Sequence, residues 1–397
     1  MSLAEIVGPS AAGSSPTEYT IDGMTPTVVA RPNDYTEVSQ ILAVANEEDL
    51  AVIPLGGRQH AHVGNVPRRY DVALDLSALD SVVEFEPADL TITVQAGITL
   101  GALRKLAADS GLMIPFDPSA SDDATVGGMI AGGIYGPARS ALGAPRDFTI
   151  GLRVVMADGR ITRAGGKVVK NVAGYDLCKL YAGSLGTLGV IVEASLKAIP
   201  APPVQACLTM TLPSAEEPCS LVRKAVRSGL SVQSAAVQRV PNGWHTAITL
   251  AGTPAGVDRS HREIAAEAGM TLTEDPGSAT DHRELPQELV ITVQPSAVPG
   301  LLTNCANSLE GEVSIEAWPA VGACVLRSSA DEGLIATCEK ISTAAGGHMT
   351  INRCPPLVKH NRDVFGAEPS SLELMRRIKD EFDPKAILSP GRAAGRI

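Results

Sequence analysis

Ala51-Val52-Ile53-Pro54-Leu55 runs directly into Gly56-Gly57-Arg58-Gln59-His60, with no polar linker between the apolar run and the glycine pair. The first part reads as a buried strand and the second as the loop at its end. Successive backbone N–H groups that converge where no side chain obstructs them form a concavity that holds a phosphate without Lys or Arg. The same association of glycine with strand ends recurs at Gly127-Gly128 and Gly132-Gly133, and at Gly183, Gly186 and Gly189 before Val190-Ile191-Val192-Glu193. Taken singly, each cluster is equally readable as a turn.

The simple nucleotide fingerprints are absent. The stretch after Leu55 is not Gly-x-Gly-x-x-Gly, and Gly165-Gly166-Lys167-Val168 lacks both the earlier glycine and the hydroxyl residue of a P-loop. Ala182-Gly183-Ser184-Leu185-Gly186 lacks the first glycine of a nucleophile elbow, which argues against Ser184 as a hydrolase nucleophile.

Working outward, Thr27-Val28-Val29-Ala30 is a short strand closed by Arg31-Pro32. Val38, Ile41, Leu42 and Ala45 then recur at helical spacing. Strands are expected at 72–76, 82–86 and 90–96, a helix capped by Thr99 running to Gly111, and loop with short helices from Pro115 to Pro145. A hairpin at 152–162 turns on Asp158-Gly159. Pro200, Pro202 and Pro203 mark a boundary. Beyond it, strands near 206–212, 232–240, 246–251, 288–294 and 322–328 alternate with helices near 215–228, 258–269, 297–309 and 331–345, as in a compact α+β domain. From Ser370, Leu372, Met375, Ile378 and Phe382 form an apolar helical face that needs a domain to dock on. The expected organisation is a flexible lead-in over 1–25, a first domain over 26–203, a second over 204–355, and a segment over 356–397 that returns to the first.

Composition bounds the function. The chain has 397 residues, 44% of them hydrophobic, with 44 acidic against 33 basic side chains and a net charge of -11, which disfavours nucleic acid as a partner. Seven dispersed cysteines without any Cys-x-x-Cys exclude a disulfide framework, a zinc ribbon and an iron-sulfur ligand set, and read as thiols in a reducing compartment. The first basic residue is Arg31 and no apolar run is long enough to span a bilayer, so a cytoplasmic protein without a membrane span is expected. His60 and His62 fall on one strand face, but no third ligand cluster accompanies them and no metal is expected.

In order and spacing, these pieces resemble the flavin-binding oxidoreductases of the vanillyl-alcohol oxidase or PCMH type, in particular the FAD-binding subunits of bacterial glycolate oxidases. The resemblance is carried by Arg31-Pro32, by 54–59 closed by Gly64, by Thr93 to Gly97, by Asp117-Pro118-Ser119, and by Ala124 to Gly128 followed by Gly132. Its most specific part is Gly165 to Leu177 with Leu180 and Gly183 to Ile191, and it returns between Leu374 and Arg392.

The resemblance implies an α+β fold, with a two-lobe PCMH-type FAD-binding domain, a smaller α+β cap domain and a C-terminal helix that returns to the first domain. It implies non-covalent FAD, with Gly56, Gly57, Arg58, Gln59 and His60 at the pyrophosphate. Pro118, Ser119, Thr125, Gly127 and Gly128 match a second flavin-contacting segment, and Gly189, Val190 and Ile191 a strand beside the adenine or the ring. Arg58 departs from the pattern, since the family has a small residue there. The histidine that binds FAD covalently in some relatives corresponds to Gln59.

The implied function is that of a FAD-binding subunit of a glycolate or related 2-hydroxyacid dehydrogenase or oxidase, with a small 2-hydroxyacid as substrate. Its electrons would pass to partner subunits, a second flavoprotein and an iron-sulfur protein. A non-catalytic flavin-binding scaffold and a stand-alone alcohol or sugar oxidase are the alternatives. No catalytic residue is assigned: Asn171, Tyr175, His348 and Arg353 are candidates only, and the metal-binding histidine motifs of many related dehydrogenases are not recognisable.

Overall fold

The computed structural model describes residues 15–166, 175–268, 285–329 and 332–397. The chain divides into two compact units: one holds the residues up to Tyr135, Ala144–Ala201 and Lys359–Ile397, the other Gly136–Gly143 and Pro202–Val358.

In the first unit, β1 (Val28–Ala30), β2 (Val52–Leu55) and β3 (Val72–Asp75) form a parallel sheet in the order β1-β3-β2. Parallel strands need a crossover, and helix α1 (Tyr35–Glu47) supplies it between β1 and β2. It starts where the Asp34 carboxylate accepts from the N–H groups of Thr36 and Glu37, at 2.7 and 2.9 Å. Its buried face is the expected Val38, Ile41, Leu42 and Ala45, packed with Val52, Val72 and Leu74.

The second lobe of this unit is antiparallel. Strands β4 (Val82–Glu86) and β5 (Thr91–Gln95) join β7 (Thr149–Val155), β8 (Ile161–Gly165) and β9 (Val190–Lys197) in the order β4-β5-β9-β7-β8, while the short β6 (Leu112–Met113) pairs with β10 (Ile199–Pro200). The β7–β8 hairpin turns at Asp158-Gly159 as expected, with Gly159 at φ 85° and Val155 opposite Ile161. Helices Leu100–Ala108 and Val126–Gly132 pack on this lobe through Leu100, Leu103, Met129 and Ile130.

The C-terminal segment belongs to the first unit. Ile378 and Phe382 of helix Leu372–Phe382 pack against the antiparallel lobe's core, and Ile387 and Leu388 are buried in the core of the parallel lobe. The N–H of Val52 donates to Ile387 and that of Ser389 donates to Val52, so this segment runs parallel to the free edge of β2, directly before the Gly56-Gly57 loop.

The second unit is a seven-stranded sheet, antiparallel throughout. Its strands are β11 (Val204–Leu212), β12 (Val232–Val240), β13 (Gly243–Gly252), β14 (Gln287–Thr292), β15 (Val313–Trp318), β16 (Ala323–Ser328) and β17 (His348–Arg353), in the order β11-β13-β12-β15-β16-β14-β17. Two strand-helix-hairpin-helix repeats meet at the β12–β15 pair, so the order runs outward from the middle as 12-13-11 on one side and 15-16-14 on the other. The four helices fall close to their expected positions. The strands β15 and β17 are additional to the sequence reading.

Candidate functional site

The first unit holds a cleft with about 840 Å³ of empty space, part of it open solvent. Four chain segments wall it: the loop after β2, the entry to helix Val126–Gly132, the turn leading into β9, and Arg392 near the C-terminus. Of the residues singled out in the sequence, Gly56, Gly57, Arg58, Gln59, His60, Thr125, Gly127, Gly128, Gly189 and Ile191 line it together. Three do not. Val190 is fully buried in the core of the parallel lobe, pointing away from its neighbour Ile191 as strand alternation requires. Pro118 and Ser119 are exposed, and the Ser119 hydroxyl and N–H both donate to the Asp117 carboxylate, at 2.7 and 3.0 Å.

Glycine in the first loop is dictated by the protein's own backbone. A Cβ on Gly56 would overlap the Thr125 hydroxyl, and one on Gly57 would overlap the carbonyl oxygen of Asp123. The loop therefore lies directly on the segment that starts helix Val126–Gly132. That segment is equally tight: the Gly127 N–H donates to Ala96 at 2.8 Å, and a Cβ there would stand 2.8 Å from the Cβ of Ala96. On the third wall, a Cβ on Gly186 would stand 2.6 Å from Pro54 Cγ, so the turn before β9 closes on β2 itself.

Close approach leaves the loop's donors facing no protein acceptor. Among the described residues the N–H groups of Gly56, Gly57, Arg58 and Gln59 have no hydrogen-bond partner, although all four residues line the cleft. Arg58 adopts φ 58°, the left-handed conformation that alternates with ordinary backbone in anion-binding nests. Its guanidinium stacks on the ring of Tyr19, 4.7 Å from the centroid, so the charge stays beside the cleft while its side chain is held by an aromatic face. Tyr19 is itself fixed, its hydroxyl donating to Asp75 at 2.7 Å. Four consecutive partnerless amides in a half-enclosed, mainly apolar cleft suit a diphosphate carried by a larger flat ligand, and the residues present fit FAD.

The C-terminal segment holds this arrangement through buried charges that the sequence reading missed. Lys379 donates to Asp383 at 2.5 Å and to the carbonyls of Thr187 and Leu388 at 2.8 and 2.9 Å, joining the turn before β9 to the strand-like end of the chain. Burial pushes the Lys379 ammonium down from its ordinary value, with Asp383 opposing that shift. Lys359 donates to both oxygens of Asp22, at 2.8 and 3.0 Å, and to the carbonyl of His62. Arg392 donates to the carbonyls of Ala61 and Val63, and burial lowers its pKa despite the nearby Asp22. The one available signal was the cation at helical spacing inside an apolar face, Lys379 between Ile378 and Phe382.

The remaining candidates are dispersed. Asn171 lies outside the described residues, and Tyr175 is 96% exposed. His348 and Arg353 begin and end β17 in the second unit, where Arg353 donates to the Leu285 carbonyl at 3.1 Å. The rings of His60 and His62 stand 6.3 Å apart, and no group of three metal-type side chains occurs among the described residues. None of the seven cysteines forms a disulfide and all but Cys207 are buried; burial pushes Cys178 up to about 11 and Cys219 and Cys338 to about 12, which disfavours these three as thiolate nucleophiles. No helix among the described residues is long and apolar enough to cross a membrane.

Comparison with known proteins adds independent findings. Residues 26–165 match the family of FAD binding domains, and residues 366–393 match the C-terminal domain of FAD linked oxidases. The chain is 30% identical over 327 residues to the glycolate oxidase subunit GlcE of Escherichia coli K12, covering 80% of this chain and 86% of that protein. It is 39% identical over 181 residues to the glycolate oxidase subunit GlcD of Bacillus subtilis, covering 45% of this chain and 38% of that one. It is 36% identical over 189 residues to a D-2-hydroxyglutarate dehydrogenase of Xanthomonas citri, covering 48% of this chain and 40% of that one. The matches to GlcD and to the dehydrogenase thus span about two fifths of those proteins. Among solved structures, an alkyldihydroxyacetonephosphate synthase shares the fold, with a TM-score of 0.71 at 17% identity over 92% of this chain and 76% of that one.

Proposed function

The chain belongs to the FAD-linked oxidase family, FAD-dependent oxidoreductases with the PCMH-type α+β fold, and from that premise we propose that it is the FAD-binding subunit of a glycolate or related 2-hydroxyacid dehydrogenase. Residues 26–203 would be the FAD-binding domain, 204–355 the cap that meets substrate or partner, and 356–397 the segment that returns to close the first domain. The observation that carries the reading is the row of four amides from Gly56 to Gln59, without partners among the described residues, in a loop whose first two positions leave no room for a Cβ.

In this reading the loop from Gly56 to His60 holds the diphosphate of FAD non-covalently through backbone N–H groups. Thr125, Gly127 and Gly128 face the flavin from the second wall, with Pro118 and Ser119 shaping the chain that leads into it. Gly189 and Ile191 form the third wall, and Val190 supports it from the core behind. Bound FAD supplies the two-electron acceptor that oxidation of a hydroxyacid requires. The apolar walls, Ile53, Leu55, Leu76 and Leu185 among them, exclude water from it.

Among the described residues, the ionisable side chains that line the cleft are Arg58, His60 and Arg392. Two of the chain's relatives are named as glycolate oxidase subunits, which supports assembly with other subunits; the partners we propose are a second flavoprotein and an iron-sulfur subunit. A cytoplasmic location rests on the sequence alone.

The test is an absorption spectrum of the purified chain followed by dye-reduction assays with 2-hydroxyacids. Flavin bands are expected. Absence of those bands, with no FAD taken up on addition, would overturn the assignment. Turnover only after the partner subunits are added supports the subunit reading, whereas peroxide formation by the chain alone would make it a stand-alone oxidase. No turnover in either assay, with FAD bound, would mark it as a flavin-holding scaffold.

A further inference from the structure

Arg392 combines three properties that do not belong together in a merely structural residue. Its side chain is only 5% exposed, it lines the cleft, and its Nη1 has no hydrogen-bond partner. Its other terminal nitrogen is occupied: Nη2 donates to the carbonyls of Ala61, at 2.7 Å, and Val63. These carbonyls belong to the same loop as the partnerless amides, since the Ala61 N–H turns back to the Arg58 carbonyl at 3.1 Å. A buried donor left without an acceptor is destabilising, more so when charged, so a group that supplies the acceptor gains affinity there.

The surrounding charges do not satisfy it. Asp22 is the carboxylate facing Arg392, 3.7 Å from Nη1, but both of its oxygens already accept from Lys359 Nζ. Two cations therefore share one buried anion, in a chain whose net charge is -11. The backbone holds the guanidinium in place from both sides: the Asn65 N–H donates to the Arg392 carbonyl at 2.9 Å and the Arg68 N–H to Pro390 at 2.8 Å. Gly391 lies at φ 86°, where a Cβ would stand 2.7 Å from Arg68 Cγ.

We propose that Arg392 is a binding residue for the cofactor, its free Nη1 donating to an anionic oxygen of the FAD diphosphate while Nη2 fixes the loop whose amides hold the same group. This rests on the reading that the loop from Gly56 to Gln59 holds that diphosphate. Within it, the neutral amides supply directional donors, and the cation comes from a residue more than 300 positions later in the chain, buried so that it acts at low local dielectric.

The experiment uses the full chain stripped of flavin, with binding followed by quenching of flavin fluorescence. FAD and riboflavin share the ring, but only FAD carries the diphosphate, and ADP is used as a competitor. In Arg392→Met, affinity for FAD and ADP should fall about ten- to hundredfold while that for riboflavin holds. Unchanged FAD affinity, or an equal loss for riboflavin, would overturn the proposal. Arg392→Lys keeps the charge but cannot serve both sets of acceptors, so a several-fold loss confined to FAD and ADP is expected. If the methionine variant fails to fold, the lysine variant decides by the same criterion. Hydrogen exchange at Gly56 to Gln59 separates the two readings: FAD should protect these amides in the unaltered chain. Protection with unimpaired FAD binding by the Arg392 variants overturns Arg392 alone. Absence of protection overturns the loop reading and with it the joint site proposed here.

Discussion

The two units solve the problem of packing a sheet in opposite ways. In the second unit, strand alternation does most of the work: β13 runs through buried Trp244, Thr246, Ile248 and Leu250 with half-buried residues between them, and helices cover one face. Among the described residues, its least exposed ion pairs form one network, where Arg327 donates to Glu288 at 2.8 Å and to Glu316 at 3.1 Å, and Asn352 donates to Glu288 at 3.1 Å. In the first unit, three loops and a chain end must meet around a cleft, where no side-chain pattern can bring them together. Backbone contact through glycine and buried Lys and Arg side chains fill that role. The difference teaches that the cleft depends on single atoms, while the second unit's sheet depends on averaged hydrophobic burial.

Substitutions test that contrast. The largest effect is expected from Lys379→Ala, which leaves the buried Asp383 carboxylate without its counter-ion and should cost about 3–5 kcal/mol in urea unfolding. If the loss is under about 1 kcal/mol, the buried pair is not what ties the C-terminal segment to the cleft. Next is Gly57→Ala, whose new methyl must displace the Asp123 backbone. FAD affinity should fall about a hundredfold, roughly 3 kcal/mol, with the circular dichroism spectrum preserved. A variant that binds FAD normally would show that the loop has slack the close contacts deny. In the second unit, Ile315→Val in the centre of the sheet should cost only about 1 kcal/mol and leave FAD binding untouched.

The smallest effect is a pH dependence. Burial alone would raise the Glu288 carboxyl, but Arg327, Asn352 and Arg353 outweigh it and hold the group below the usual carboxylate range. Because the folded value is depressed, its stabilisation is present above the ordinary carboxylate pKa and is lost as pH falls through the folded value. Glu288→Gln should flatten the acid limb of an unfolding-against-pH curve. An unchanged limb would place the acid sensitivity elsewhere.

Much of the local architecture was legible. The strand into Gly56-Gly57, the buried face of α1 and the turn at Asp158-Gly159 each follow from a short-range rule, and the structure has all three. Strand β15 was readable from the alternation of Val313, Ile315 and Ala317 but short enough to pass as loop. For Gly56 and Gly57, the residue type pointed correctly to close backbone approach, but the atoms approached are those of Thr125 and Asp123. Arg58 is expected at the pyrophosphate; the fold sets its guanidinium on the face of Tyr19, which no sequence pattern announces.

The sequence by itself determined most of the segments that become strands and helices, that glycine-rich loops gather in the first unit, and the family to which the chain belongs. Periodicity and turn chemistry act over a few residues, so they survive in a one-dimensional string. Only the tertiary structure decided that Lys359, Lys379 and Arg392, ordinary surface residues by type, are buried, and that one of them lines the cleft. The physical reason is that the burial of a charge depends on partners supplied from far along the chain, here Asp22 and the carbonyls of Ala61, His62 and Thr187.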